Sequence, residues 1–216
     1  ALVFNKMPDT DFMHVKGVSK ITLDDILFAK KFGYKIKLLA ISNHKNNFEC
    51  SVEPWMISKN HSLANIQGVL NAVEIISDLA GPILLTGAGA GGKATASSVL
   101  SDIYDFLSKT NRTGLTVSNK KIKKSIKTIP YNQFLKFYLR VTVVDKSGVL
   151  ADLTSIFKKN QISVQSFFQD IKPNEKNANL IIITHDVNRK KMEKAISEIN
   201  VLKNVVKDTI CISIYE

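Results

Sequence analysis

Two periodicities of hydrophobic residues alternate along the chain, and together they predict its elements. Thr22 is a candidate N-cap with Asp25 at the third helical position, as in a capping box, and Gly33 is the predicted end of this first helix. One face of the helix is predicted from Leu23, Ile26, Leu27, Lys30 and Phe32. Four strand-like runs follow at residues 34–42, 48–57, 69–76 and 81–86. Successive strands with short turns indicate a largely antiparallel or mixed sheet, and Pro54 predicts an edge or a bulge in it.

The pattern resets at Phe134 and then predicts a second, smaller domain. Strand-like runs at residues 135–144, 162–169 and 178–184 are followed by a last strand within 201–213. Helical periodicity begins at Val149 and again at Lys191. This β-α-β-β-α-β order is typical of a ferredoxin-like domain. The predicted fold class is therefore α+β, with a mixed-sheet domain followed by a ferredoxin-like one.

A basic segment separates the two patterns. No acidic residue occurs between Asp105 and Asp145, whereas lysines are frequent there. We therefore predict a domain at 1–108, a basic linker at 109–133 and a second domain at 134–216. The segment is interpreted either as a solvated linker or as a basic arm for an anionic partner.

Composition excludes several classes of function. The net charge of +11 favours anionic partners, but only three of the 30 basic residues are Arg, and this bias argues against nucleic-acid binding. No apolar run approaches the roughly 18 residues of a membrane span. Cys50, Cys211 and the four histidines lack metal-ligand spacing, so we predict neither a metal site nor a disulfide, and a reducing cytoplasm is the expected compartment.

A glycine cluster follows the fourth strand and precedes a helical pattern. Gly87, Gly89 and Gly92 satisfy the spacing G-x-G-x-x-G. A dinucleotide fold would place this loop in its first βαβ unit, with an acid about 20 residues further on. No carboxylate occurs from Phe106 to Val144. We therefore interpret the loop as the end of a substrate domain that closes over a cofactor held elsewhere, or else as a tight turn that lets helix and sheet pack closely.

Five motifs recur in a recognisable order between residues 33 and 108. They are Gly33–Ile41, Val52-Glu53-Pro54 with Ile57, His61–Ala64, Gly68–Val73, and the glycine loop from Gly81 to Gly91 with Thr95 to Asp102. This stretch resembles the catalytic, dimer-forming domain of homoserine dehydrogenase. Residues 135–216 are similar to an ACT domain, the amino-acid-binding regulatory module often fused to the C-terminus of that family.

The resemblance implies NAD(P)-dependent interconversion of aspartate semialdehyde and homoserine, a step of threonine and methionine biosynthesis. NADP or NAD would be bound mainly by a domain absent from this chain, with Gly91, Gly89 and Gly87 as its contacts here. The catalytic residues are expected upstream of Ala1, so the chain alone is expected to be inactive. A homodimer or higher homo-oligomer is also implied. The alternative is a non-catalytic amino-acid-binding and dimerising module.

The resemblance also implies an effector loop in the second domain. Asp145, Gly148, Val149 and Leu150 occupy its position, and Ser147 stands where the family usually has Pro. Helix-start N–H groups would bind the carboxylate of an amino acid and Asp145 its ammonium group. Threonine is the expected effector. The alternative role of Asp145 is to cap the helix.

Overall fold

A computed structural model of the chain describes residues 3–4, 6–44, 48–108, 123–126, 128–129, 134–171 and 176–215. The chain divides into two compact units. We call residues 1–8 and 59–126 the hairpin unit, and residues 9–58 and 127–216 the sheet unit. Most of the predicted basic linker lies outside the described residues. The three sequence domains stay a prediction, since the sheet unit combines residues from the first and the last of them.

The predicted helices and strands are present to within a few residues, and the structure adds five short strands and two 3₁₀ turns that were not predicted. Within the described residues the helices are α1 Leu23–Lys31, α2 Gly92–Leu107, α3 Val149–Lys159 and α4 Arg189–Asn200, with 3₁₀ turns at Thr10–Phe12 and Ser62–Asn65. The first eight strands are β1 Lys6–Pro8, β2 His14–Val15, β3 Tyr34–His44, β4 Phe48–Ser58, β5 Leu70–Ser77, β6 Gly81–Ala88, β7 Lys123–Ile126 and β8 Thr128–Ile129. The remaining strands are β9 Phe134–Val144, β10 Val164–Ile171, β11 Asn177–Thr184, β12 Val187–Asn188 and β13 Ile210–Tyr215.

One mixed sheet runs through the sheet unit in the order β10-β11-β9-β13-β4-β2. Its first four strands, with α3 and α4, form the predicted ferredoxin-like βαββαβ arrangement, which is confirmed. The sheet then continues into the earlier part of the chain, because β13 pairs in parallel with β4, with Ser213 opposite Trp55. β3 pairs antiparallel with β4. Residues far apart in sequence therefore share one hydrogen-bonded sheet.

Helix α1 packs on this sheet, although most of its predicted face is exposed. The capping box is confirmed, since the Thr22 N–H donates to the Asp25 carboxylate at 2.8 Å. However, Leu23, Ile26 and Leu27 are 51–68% exposed, and the buried residues of the helix are Asp25 and Ala29. The helix is turned so that Asp25 reaches the polar side chains of β9. The prediction of this face is therefore wrong for Leu23, Ile26 and Leu27, whereas Phe32 packs on the core as predicted.

Pro54 lies in the interior of the sheet, so the prediction of an edge is also wrong. β4 pairs along its whole length with β3, where Leu38 is opposite Pro54, and this register is regular. On the other side of β4, β2 pairs with Ser51 and Val52, and β13 pairs with residues 55–57. Pro54 falls between these two pairings, where the strand tolerates a residue without an N–H group.

The hairpin unit contains the antiparallel pair β5–β6, the 3₁₀ turn Ser62–Asn65 and α2. Many large apolar side chains of this hairpin are exposed, and α2 has no buried residue. The glycine loop connects β6 to α2. No described helix of the chain is both long and apolar enough to cross a bilayer.

Candidate functional site

A cleft of about 250 Å³ lies at the end of β9 and the start of α3, in the sheet unit. All four residues predicted for the effector loop, Asp145, Gly148, Val149 and Leu150, line it. The remaining lining residues are Val143, Val144, Lys146, Ser147, Phe167, Gln169 and Leu180. The structure therefore brings the predicted loop together with one wall from β10 and β11, which the loop sequence alone did not indicate.

The shape of the loop follows from its backbone. The Asp145 N–H donates to the Lys176 carbonyl at 3.2 Å, which ties the end of β9 to the start of β11. Gly148 has φ +92° and is the N-cap of α3. A Cβ at position 148 would meet no other atom within 4 Å. Glycine is therefore favoured there by the left-handed backbone and not by lack of space.

The two ends of the cleft have opposite electrostatic character. The first N–H groups of α3 are not used by hydrogen bonds within the helix, and a helix N-terminus favours negative charge. The Asp145 carboxylate accepts a hydrogen bond from Gln169 Nε2 at 3.4 Å. Gly148, which has no side chain, is the N-cap of α3, so Asp145 is not its N-cap. A zwitterionic ligand would have its carboxylate at the helix and its ammonium group at Asp145.

The three glycines predicted to contact a cofactor lie close together in the hairpin unit, for different structural reasons. Gly87 is in β6 opposite Asn71. The Gly89 N–H donates to the Val69 carbonyl at 2.7 Å. Gly91 is the N-cap of α2 with φ +120°, and a Cβ at Gly87 or Gly91 would meet no atom within 4 Å. The backbone at both positions is therefore open to a ligand.

Asn71 belongs to this loop although it was not predicted as a site residue. A Cβ added at Gly89 would lie 2.1 Å from Asn71 Nδ2, so the amide side chain lies against the glycine. The register of β5 on β6 creates this contact. The spacing of the glycines contains no signal for it, because the partner is 18 residues earlier in the chain.

His61 has a structural role in the hairpin unit. Its Nδ1 accepts the Leu63 N–H at 3.2 Å, which caps the following 3₁₀ turn. Its Nε2 lies 3.6 Å from Glu74 Oε2, and Ser62 Oγ donates to Glu74 Oε1 at 3.1 Å. These contacts fasten the turn to strand β5.

Comparisons with known proteins cover nearly the whole chain. The family model for homoserine dehydrogenase matches residues 1–104, and that for the ACT domain matches residues 137–204. The homoserine dehydrogenase of Helicobacter pylori is 36% identical over 89% of this chain and 45% of its own length. That of Neisseria gonorrhoeae is 31% identical over 96% of this chain and 49% of its own length.

A solved structure gives the same result. The crystal structure of a homoserine dehydrogenase from Thiobacillus denitrificans has a TM-score of 0.81 and 29% identity, and the match covers 100% of this chain and 50% of that one. The chain thus spans about half the length of the curated relatives it matches. It belongs to the homoserine dehydrogenases and corresponds to the C-terminal half of these proteins, including the ACT domain.

Proposed function

We propose that the chain supplies the substrate domain and the regulatory domain of an NAD(P)-dependent homoserine dehydrogenase that interconverts aspartate semialdehyde and homoserine. The observation that carries this proposal is the match over residues 1–104 together with the open glycine loop between β6 and α2. The nicotinamide cofactor would supply the hydride. The free thiols of Cys50 and Cys211 suit the reducing cytoplasm in which we place the protein.

The glycine loop would hold one side of the cofactor. Backbone N–H groups can approach a ligand closely at Gly87 and Gly91, because no side chain intervenes and no other atom fills the space. The N-terminus of α2 favours a negatively charged group. Asn71, against Gly89, would keep the loop in position.

Replacing Gly91 by Val is expected to raise the KM for the cofactor about tenfold in a complete dehydrogenase that carries this chain, equivalent to about 1.4 kcal/mol. The new side chain would occupy the open space and strain a backbone at φ +120°. Steady-state kinetics at saturating homoserine measure the effect. Gly81→Val is the matched control, since Gly81 also has a positive φ and open surroundings but lies at the other end of β6. Wild-type cofactor KM in the Gly91 variant would contradict the assignment.

The ACT cleft would bind an amino acid, and we propose threonine. The threonine carboxylate would accept hydrogen bonds from N–H groups at the start of α3, and the threonine ammonium group would face Asp145. The apolar side chains of Val149, Leu150 and Phe167 would surround the threonine side chain. Binding would control the enzyme if it shifts the equilibrium between two arrangements of the protein.

Asp145→Asn is expected to weaken threonine binding by roughly 10- to 100-fold, because a charge-assisted hydrogen bond contributes about 1.5–3 kcal/mol. Isothermal titration calorimetry on the chain measures the affinity. Asp186→Asn is the control, since it removes the same charge from an exposed position of the ACT domain outside the cleft. Absence of both binding heat and a thermal shift in the wild-type chain would rule out the threonine site.

Assembly into a homodimer or higher homo-oligomer is part of the proposal. The supporting observation is the apolar surface of the hairpin unit, where α2 exposes Leu100, Tyr104 and Phe106. A large apolar patch that is exposed in the single chain usually marks a site of contact with another protein or subunit. Sedimentation velocity over a range of concentrations measures the stoichiometry, and a monomer at all concentrations would contradict this part.

A further inference from the structure

We propose that α1, β3 and β4 form one cooperative unit with the ACT domain, so that an amino acid bound in the ACT cleft stabilises these elements as strongly as it stabilises the ACT strands. The statement about the bound amino acid rests on the proposed function, whereas the statement that these elements unfold together with the ACT domain does not rest on it. Two buried ion pairs, one covered sheet face and one continuous sheet carry it.

The first ion pair joins α1 to β9. Arg140 Nε donates to Asp25 Oδ1 at 2.7 Å, and Nη2 donates to Oδ2 at 3.0 Å. Tyr138 Oη donates to Asp25 Oδ1 at 2.9 Å. Asp25 and Tyr138 are fully buried. The same carboxylate accepts the N–H and hydroxyl of Thr22, so the group that starts α1 also attaches it to the ACT domain.

The second ion pair joins β4 to α4. Arg189 Nη1 and Nη2 donate to the two oxygens of the Glu53 carboxylate at 3.0 and 2.6 Å. Arg189 Nη2 also donates to Ser213 Oγ at 3.0 Å, which ties β13 to the same pair. Glu53 and Arg189 are each 3% exposed. A bidentate contact of this kind has a fixed geometry and tolerates little relative movement of the elements that it joins.

Helix α1 is the cover of one ACT sheet face. Ala29 packs in a cluster with Tyr138, Ile181 and Ile183, and Phe28 and Phe32 pack against the same cluster. If α1 left, these apolar side chains of the ACT sheet would be exposed to water, which is unfavourable in proportion to their area. A helix of nine residues is also too short to be stable alone. Each part is therefore expected to be less stable without the other.

Strand β9 belongs both to this unit and to the cleft. It carries Tyr138 and Arg140, and its last residues Val143 and Val144 line the cleft. A ligand that binds only the folded state stabilises everything that unfolds together with its site. A ligand in the cleft therefore also stabilises α1 and β4 against unfolding. Both elements belong to the region that matches the dehydrogenase family model.

Native-state hydrogen exchange of the chain at increasing urea concentrations, read by mass spectrometry, tests the cooperative unit without any ligand. We expect the slow amides of α1 and β4 and those of β9 and β13 to converge on one unfolding isotherm, with the same urea dependence. Separate opening of α1 and β4, at a lower free energy and with a smaller urea dependence, would overturn the proposal. Tyr138→Phe should accelerate exchange equally in both sets, whereas an acceleration confined to either set would also overturn it.

Asp208→Asn is the matched control. The pair Lys20–Asp208 joins the same two parts of the chain at 3.0 Å, but both side chains are 70% exposed, so its loss should leave exchange unchanged. With threonine at 100 times its Kd, exchange should slow about a hundredfold in α1 and in β9 alike. Protection of the ACT strands alone would overturn the proposal. If threonine protects no part of the chain, the threonine site fails, and the urea data still decide the cooperative unit.

Discussion

Replacing Arg140 by Met is expected to lower the free energy of unfolding by about 3–5 kcal/mol. The substitution leaves the fully buried Asp25 carboxylate without the cation that holds it at 2.7 Å. Such a loss is a large part of the roughly 5–15 kcal/mol that keeps a typical domain folded. Equilibrium unfolding in urea, followed by circular dichroism, measures it.

The dependence of this loss on pH identifies its cause. Burial by itself would raise the pKa of Asp25, but the hydrogen bonds from Arg140 and Thr22 outweigh it and hold the pKa below the ordinary 3.8. Because the folded pKa is lowered, the stabilisation is present above the unfolded pKa and is lost as pH falls through the folded pKa. Without Arg140, burial prevails and the folded pKa rises, so the destabilisation grows as pH rises through the unfolded pKa.

The difference in free energy of unfolding between wild type and Arg140→Met should therefore be largest near neutral pH and should become smaller towards about pH 3. The control is Lys20→Met, which removes the cation of the exposed pair with Asp208 and should change stability by no more than about 0.5 kcal/mol at any pH. Equal losses in the two variants, or a difference between wild type and Arg140→Met that does not vary with pH, would contradict the assigned role of Asp25.

Trp55→Ala is expected to lower the free energy of unfolding by about 3–5 kcal/mol. Trp55 is fully buried on β4, opposite Ser213 of β13, as expected of a packing residue. Its ring stands edge-on to Tyr215, with centroids 6.2 Å apart, and the Arg189 guanidinium lies 5.9 Å from its centroid. The substitution opens a cavity where β4 joins the ACT sheet.

Circular dichroism must report the unfolding of this variant, because Trp55 is the single tryptophan of the chain. Phe134→Ala is the control, since this aromatic side chain begins β9 and is 71% exposed. It should cost no more than about 0.5 kcal/mol. A loss for Trp55→Ala that is no greater than for Phe134→Ala would show that the junction between β4 and β13 contributes little to stability.

Much of the candidate site was predictable from the chain because its signals are local. Gly148 precedes a helical pattern directly, and Asp145 precedes Gly148 by three residues, so the loop is a contiguous motif that the resemblance to an ACT domain could identify. The structure adds Phe167 and Gln169 as the opposite wall. Their contribution depends on the pairing of β10 with β11 and on the position of both beside β9, which no local pattern contains.

In the glycine loop, too, one feature follows from the local sequence and another follows from the tertiary structure. A positive φ at Gly91 agrees with a tight connection from strand to helix, which the glycine cluster predicts. At Gly89 the reason for glycine is the amide of Asn71, which only the register of the hairpin brings there. Two glycines separated by a single residue thus have different physical causes.

The sequence alone determined the order and type of the elements, the capping box of α1, the βαββαβ pattern and the family. The elements, the capping box and the pattern depend on hydrogen bonds and apolar periods within a few residues, which act whatever the rest of the chain does, whereas the family was identified from the resemblance of its motifs. Tertiary structure decided which face of α1 is buried and that this helix covers the ACT sheet. The orientation of the helix depends on Asp25, which accepts hydrogen bonds from Tyr138 and Arg140. These residues are 113 and 115 positions away in the sequence. A buried carboxylate must have such partners, and the helix turned towards them at the expense of its most apolar side.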